Sequence, residues 1–354
     1  VVAETQRKSR RSGEVIEMSE RMLGGSGRRG LTAAAGLALL VALSVPHGTL
    51  AGALSMGDSE VQIVFEPPQF PDTVAVNKRG DVLVSFVLGG VWNFTAGAAP
   101  SLVCDVDFSR GLAVKADGDA YVVGVRLSPT FLLGVYRLPR DGGPCTHLPG
   151  TDQIAQPNAL AFDKVGNLYV TDHDPGRIYR ISPGGTVDLW LEDPLLAPVP
   201  LPGDPGFVVG ANGIQYWQGS LLVANTTQRS ILRVPILPEG SPGPVAVLYD
   251  VAANPGGPVF FPDGLALDVH GNVYAADAIS SQIVRVSADG SYAEILAAAY
   301  AGHPLDSPTS LAFGTGKGNR KNLFVTNSGL IGPSAMGMPS LIRIGTEVPG
   351  NPVP

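Results

Sequence analysis

This chain of 354 residues is poor in the features that usually announce a function. It has two cysteines, Cys104 and Cys145, without Cys-x-x-Cys spacing, which excludes a cysteine zinc site and a dithiol redox motif. Aromatic residues make up 7% and charged residues 16%, and the net charge is −7. That balance, with no basic stripe after residue 53, argues against nucleic acid and anionic membrane surfaces as partners. No Gly-x-Ser-x-Gly element is present, so a serine nucleophile with an acyl intermediate is not expected. The sustained apolar run Ala33 to Val45 covers 13 residues, too few to span a bilayer stably. No segment after it keeps a helical period. Glycine and proline are abundant instead, 45 and 31 residues, as befits a chain that turns often.

What fills the chain is a phrase in three limbs, repeated six times. The first limb opens at Asp72, Arg110, Asn158, Asn212, Asp263 and Thr309, at spacings of 38, 48, 54, 51 and 46 residues. The second limb reads as in Gly166-Asn167-Leu168-Tyr169-Val170-Thr171-Asp172, and the third as in Gln282-Ile283-Val284-Arg285-Val286. Apolar residues alternate at period two, with Gly, Pro, Asn and Asp between the runs, the pattern of short antiparallel strands and tight turns. Fourth strands fit at Ser101 to Asp105, Cys145 to Leu148, Thr186 to Leu191, Pro244 to Tyr249 and Tyr292 to Ala297. The unit length is that of a four-stranded propeller blade. The sixth unit lacks a fourth strand, while Val61 to Glu66 is a strand without a unit. An all-β, six-bladed propeller is therefore expected over residues 54–354, closed by the N-terminal strand completing the last blade.

Residues 1–53 are of another kind. Arg28-Arg29, the apolar run and Ala51-Gly52-Ala53 read as a signal peptide behind an N-terminal extension, so the mature chain is expected to be secreted or periplasmic after cleavage near Ala53. Its removal takes seven basic and four acidic residues, leaving 17 against 27 and a net charge of about −10. Export favours pairing of Cys104 with Cys145. Their places on outer strands of neighbouring blades oppose it, because a disulfide needs close Cα atoms.

In a four-stranded meander the openings of the innermost strands gather at one end of the central channel. Asp72, Asn158, Asn212 and Asp263 would there present oxygen ligands only. Such a set suits Ca²⁺ or another hard divalent cation, with water completing the shell. Asp or Asn before a strand more often caps a turn. Four of six equivalent positions facing one axis favour the metal.

With Asn212-Gly213-Ile214 opening blade four and Pro262-Asp263-Gly264 opening blade five, the chain resembles the senescence marker protein/gluconolactonase family over about residues 60–345. The resemblance implies a calcium-dependent, lactone-hydrolysing propeller, related in fold to paraoxonases and strictosidine synthase. It implies that Asn212 and Asp263 are metal ligands, that Asp263 is also the catalytic acid/base, and that Asn158 contacts metal or substrate. Two positions depart from the family pattern. Asp72 stands where the family has Glu, and Gln156 where it has the Arg two residues before the third-blade Asn. The second limbs of blades three and five also resemble NHL repeats, found in many propellers without catalytic activity.

Two functions are thus in play. One is a secreted, metal-dependent hydrolase acting on a small-molecule lactone or ester, with a cation polarising the carbonyl and Asp263 moving the proton. The other is an extracellular scaffold presenting the same face to a protein or glycan ligand. His173 and His303 fall on the site face as candidate proton shuttles, whereas His270 belongs to the opposite face. The recurring Arg137, Arg180, Arg233, Arg285 and Arg343 sit on third strands, away from the axis, as packing or pairing residues.

Overall fold

A computed structural model of the protein describes residues 59–65, 69–95, 98–201, 206–299, 304–316, 318–329 and 339–352. The proposed signal peptide and His303 lie outside the described residues. Within them the chain forms six sheets of four antiparallel strands, each in meander order except the last. In that sheet the N-terminal strand Ser59–Val64 pairs with the final strand Ser340–Gly345, as the unmatched strand predicted, although it begins two residues earlier than the pattern placed it. The described residues contain no α-helix, only a 3-10 turn at Thr151–Gln153 in the connection from blade two to blade three. None of them forms a helix long and apolar enough to cross a membrane.

Burial explains why the limbs differ in composition. The second strands Val82–Phe86, Leu168–Asp172 and Val273–Asp277 are buried along their whole length, because both faces of a blade are covered by its neighbours. Continuous rather than alternating apolar sequence follows from two-sided cover. Outer strands such as Ser101–Cys104 and Ala246–Asp250 are exposed at their first residues and read as weaker patterns.

Each gap between blades holds its own core. Leu83 and Val91 of blade one pack on Leu112, Val122 and Tyr136 of blade two. Leu222 and Ile231 of blade four pack on Leu265 and Val273 of blade five. The gap between the last and first blades is filled by Leu341 and Phe324 against Val74, Val84 and Phe86, with Phe65 from the latch strand edge-on to Phe86 at 4.9 Å.

The constancy of the second limb has a local cause. Asp163 Oδ1 accepts from the N–H groups of Val165 and Asn167, and its Oδ2 accepts from Asn167 Nδ2 and the Tyr169 hydroxyl. Asp268 repeats the arrangement with His270, Asn272 and Tyr274, which makes His270 part of a structural turn. Gly166 and Gly271 complete these turns at φ of 92° and 84°, a region open to glycine. The third-strand arginines divide in two. Arg180 and Arg233 donate across to the Gly240 and Ala288 carbonyls of the following blades, while Arg137 and Arg285 pair with Asp119 and Glu294 in their own; Arg180 does both, also pairing with Asp188 of its own blade.

Cys104 and Cys145 are bonded, with Cα atoms 5.4 Å apart, so the outer edges of blades one and two converge closely enough for the bridge. The distance that argued against pairing does not exist: Cys145 lies just before the two-residue strand Thr146–His147 and is buried with Cys104 in the core between blades one and two. The bond closes a loop of 41 residues. A Cys104→Ala/Cys145→Ala double variant should lose about 2–4 kcal/mol of unfolding free energy. Denaturant midpoints of wild type with and without reductant check this, and identical midpoints would show that the bridge adds no stability.

Candidate metal centre

The residues expected to face the channel sit where the sheets break register. Pairing between first and second strands slips between Pro71 and Val74, Ser109 and Leu112, Pro157 and Leu160, Ala211 and Ile214, and Pro308 and Ser310. Inside those slips lie Asp72, Arg110, Asn158, Asn212 and Thr309. In blade five, Asp263 and Gly264 precede the strand Leu265–Leu267 and keep two bonds to its partner, Asp263 N–H to the Ala276 carbonyl and Ala276 N–H to the Gly264 carbonyl. A bulge leaves a residue unpaired and re-aims its side chain. Here it directs polar side chains toward an axis that a regular strand would line with apolar ones.

Glycines let these strand openings touch. A Cβ on Gly213 would collide with the Asp263 carbonyl oxygen, and one on Gly111 with the Asn158 carbonyl oxygen. Hydroxyls from the second strands and the turns after them satisfy the freed backbone groups. Ser85 Oγ accepts from Thr73 N–H, Thr171 Oγ1 accepts from Ala159 N–H and donates to the Asn212 carbonyl, and Thr326 Oγ1 donates to the Asp72 carbonyl at 2.8 Å.

Asp72, Asn158, Asn212, Asp263 and Thr309 all line one end of a channel of about 150 Å³, whose other end reaches Thr315, Asn351 and Pro352. Asn158 Nδ2 donates to Asn212 Oδ1 at 2.6 Å. Asn212 Nδ2 donates to Thr226 Oγ1, whose own proton goes to the Pro262 carbonyl. Thr226 therefore fixes which way the Asn212 amide points. The Asn212 amide acts on Asp263 by favouring its ionised form. Asp72 joins through its field. Burial, then the charge of Asp72, pushes Asp263 well above the usual carboxylate range, against the Asn212 amide. Asp72 is raised too, by burial, with Arg110 and Thr73 opposing.

Among the described residues no trio of His, Cys, Asp or Glu forms a metal cluster. A cation here would depend on amide oxygens beside the two carboxylates. The donor set nevertheless fits a hard divalent ion, because Asp72 and Asp263 share a confined site and, among the described residues, no basic side chain lies at ion-pair distance from either. A divalent cation would supply the missing counter-charge.

His173 is buried, at 9% exposure, and burial chiefly, then Arg110, lowers its pKa to about 3. It stays neutral near pH 7 and is a weak base for carrying a proton. Asp172, Asn225, Asp277 and Asn327, further out on the same face, cap connections. Asp172 accepts from Gln156 N–H, for example, and Asn225 Nδ2 donates to the Leu195 and Ala197 carbonyls. Sequence reasoning missed Arg110, Thr226 and the bulge-filling hydroxyls. Arg110 was visible as the one basic residue among six blade openings. The hydroxyls were visible as Ser or Thr one residue before the end of the second limb.

Raised carboxyls have a signed consequence for stability. In metal-free protein the folded state holds protons that the unfolded chain has released, so stability falls as pH rises from about 3.8 through the folded pKa values. His173 acts oppositely, adding stability as pH rises from about 3 to about 6.5. In chelator, Asp263→Asn should therefore be more stable than wild type near pH 7, with the gap closing toward about pH 4. Urea melts at both pH values check this, and a variant less stable at neutral pH would contradict the reading.

Residues 208–329, covering blade four, blade five and the first two strands of blade six, match the family profile described as SMP-30/gluconolactonase/LRE-like region. No curated protein sequence matches the chain. Solved structures do. A luciferin-regenerating enzyme aligns at 17% identity and a TM-score of 0.62, over 80% of this chain and 94% of that one. Regucalcin, a calcium-binding protein from Agrobacterium tumefaciens, aligns at 17% and 0.61, over 82% and 94%. A gluconolactonase from Xanthomonas campestris aligns at 16% and 0.57, over 86% and 100%. The resemblance read from the blade openings is thus present both in sequence profile and in fold.

Proposed function

We propose that this chain is a divalent-cation-dependent hydrolase of a lactone or related ester, acting at the bulged end of its central channel. The observation that carries the reading is that Asp72 and Asp263 line one channel end with the hydrogen-bonded pair Asn158 and Asn212, with no basic side chain of the described residues at ion-pair distance from either carboxylate. The profile match over the half of the ring that contains Asn212 and Asp263, and the gluconolactonase and regucalcin among the similar folds, support it. Asp72, Asn158, Asn212 and Asp263 would hold the ion, Ca²⁺ or another hard divalent cation. When bound, that ion supplies a Lewis acid for the substrate carbonyl.

The protein's own part is proton movement and orientation. Water adds to the carbonyl carbon as its proton passes to the Asp263 carboxylate, which would be ionised beside the cation and could return the proton later. The acyl–oxygen bond then breaks, the ring oxygen takes up that proton as a hydroxyl, and the acid product ionises. Thr226 and Asn158 fix the orientation of the Asn212 amide at the same channel end as Asp263. The Thr309 and Thr326 hydroxyls are committed to the Asp72 carbonyl, which leaves them occupied as donors and consistent with attack by water. Export is part of the proposal, supported by the head of the sequence and by the Cys104–Cys145 bond, which belongs to an oxidising compartment.

Hydrolysis of glucono-δ-lactone by purified protein tests the reading. Turnover should need a divalent ion, and Asp263→Asn should lower kcat by about 10²- to 10⁴-fold. A wild-type protein that turns over no lactone in any divalent ion would return the chain to the class of binding scaffolds.

A further inference from the structure

Arg110 opens blade two at the position where the other blades place Asp72, Asn158, Asn212, Asp263 and Thr309. Among the described residues, the channel wall itself contains no Lys, Arg or His. Arg110 is half-buried, and no carboxylate of the described residues lies at ion-pair distance from it. Its field nevertheless reaches Asp72, Asp263 and His173. A guanidinium at a blade opening, with no anion at ion-pair distance and its charge acting on both carboxylates, is free to take an anionic group of a ligand.

The contact it does make is specific. Arg110 Nη1 lies 3.4 Å from His173 Nε2, and Arg110 can only donate. His173 must therefore carry its proton on Nδ1, an atom that is buried and without a hydrogen-bond partner. Keeping the imidazole neutral lets it orient the guanidinium while leaving the positive charge whole. A carboxylate in the same place would have oriented and neutralised it. The backbone is fixed as well, because Gly111 presses against the Asn158 carbonyl too closely for any Cβ. Blade two is thereby locked to blade three directly beside Arg110, and His173 follows the second strand of blade three.

We propose that Arg110, positioned by His173, binds an anionic group of the substrate, so that the channel selects lactones or esters bearing a carboxylate. This rests on the hydrolase reading above for its substrate frame, although the binding itself needs no turnover. Arg110 is the specificity-determining contact, since a guanidinium fork matches a carboxylate edge with two hydrogen bonds. His173 is a positioning residue acting through it.

The test compares γ-carboxy-γ-butyrolactone with its neutral primary amide, in wild type, Arg110→Gln and Arg110→Lys. Wild type should favour the carboxylate through KM. Arg110→Gln should collapse that preference roughly ten- to hundredfold, and Arg110→Lys should restore part of it. His173→Gln, which keeps an acceptor, should retain more of the preference than His173→Leu. Calorimetry with tetrahydrofuran carboxylate, which has no lactone to open, reads the same contact without chemistry, and Arg110→Gln should weaken its binding by a similar factor. Wild type that hydrolyses both lactones without preference, with Arg110→Gln altering neither ratio nor analogue affinity, overturns the proposal and leaves the hydrolase standing. Wild type that hydrolyses neither, yet binds the analogue through Arg110, overturns the hydrolase and leaves the anion site.

Discussion

At the site end of the channel the blades are tied to one another at the residues whose side chains enter it. Thr171 of blade three bonds to the Asn212 carbonyl of blade four. Gly213 N–H and Thr226 of blade four reach the Asp263 and Pro262 carbonyls of blade five. Gly264 N–H of blade five meets the Thr309 carbonyl, and Thr309 and Thr326 of blade six close onto the Asp72 carbonyl of blade one. Blade one continues the series through Phe86 N–H to Ser109 Oγ. Several of these bonds, those to the Asn212, Asp72 and Thr309 carbonyls, use acceptors that lie where the first strands leave their regular pairing. Blade-to-blade cohesion and the convergence of the polar side chains are thus one arrangement.

That arrangement sets stability against function. Six apolar gaps and a latch strand hold a ring whose centre contains two carboxylates that raise each other's cost. A site of this kind persists when surrounding packing over-determines it. The neutral, buried His173 beside Arg110 is a second instance, with one ring nitrogen left unbonded where a more stable pairing would have used a carboxylate.

The ring was legible in the sequence because its causes are local and repeated. The Asp-x-x-Gly-Asn turn, the two-sided burial of second strands and the unmatched strand near residue 61 each leave a periodic trace. The convergence of Asn158, Asn212 and Asp263 was legible too, since equivalent openings of a closed ring must meet. The bulges were not, because a register slip depends on what the neighbouring strand offers and not on composition. For the same reason the Cys104–Cys145 distance and the Arg110–His173 contact stayed out of reach. Both depend on how neighbouring blades approach, which no repeat length encodes.

In the proposed function the irregular openings of the first strands bring Asp72 and Asp263, with their amide neighbours, to one cation. Calorimetric titration of chelator-stripped protein with Ca²⁺ and with Mg²⁺ tests it most directly, in wild type, Asp72→Asn and Asp263→Asn. A single site per chain is expected for at least one of the two ions, weakened about tenfold or more by either substitution. Heats indistinguishable from dilution for both ions, or an affinity that neither substitution changes, would contradict it.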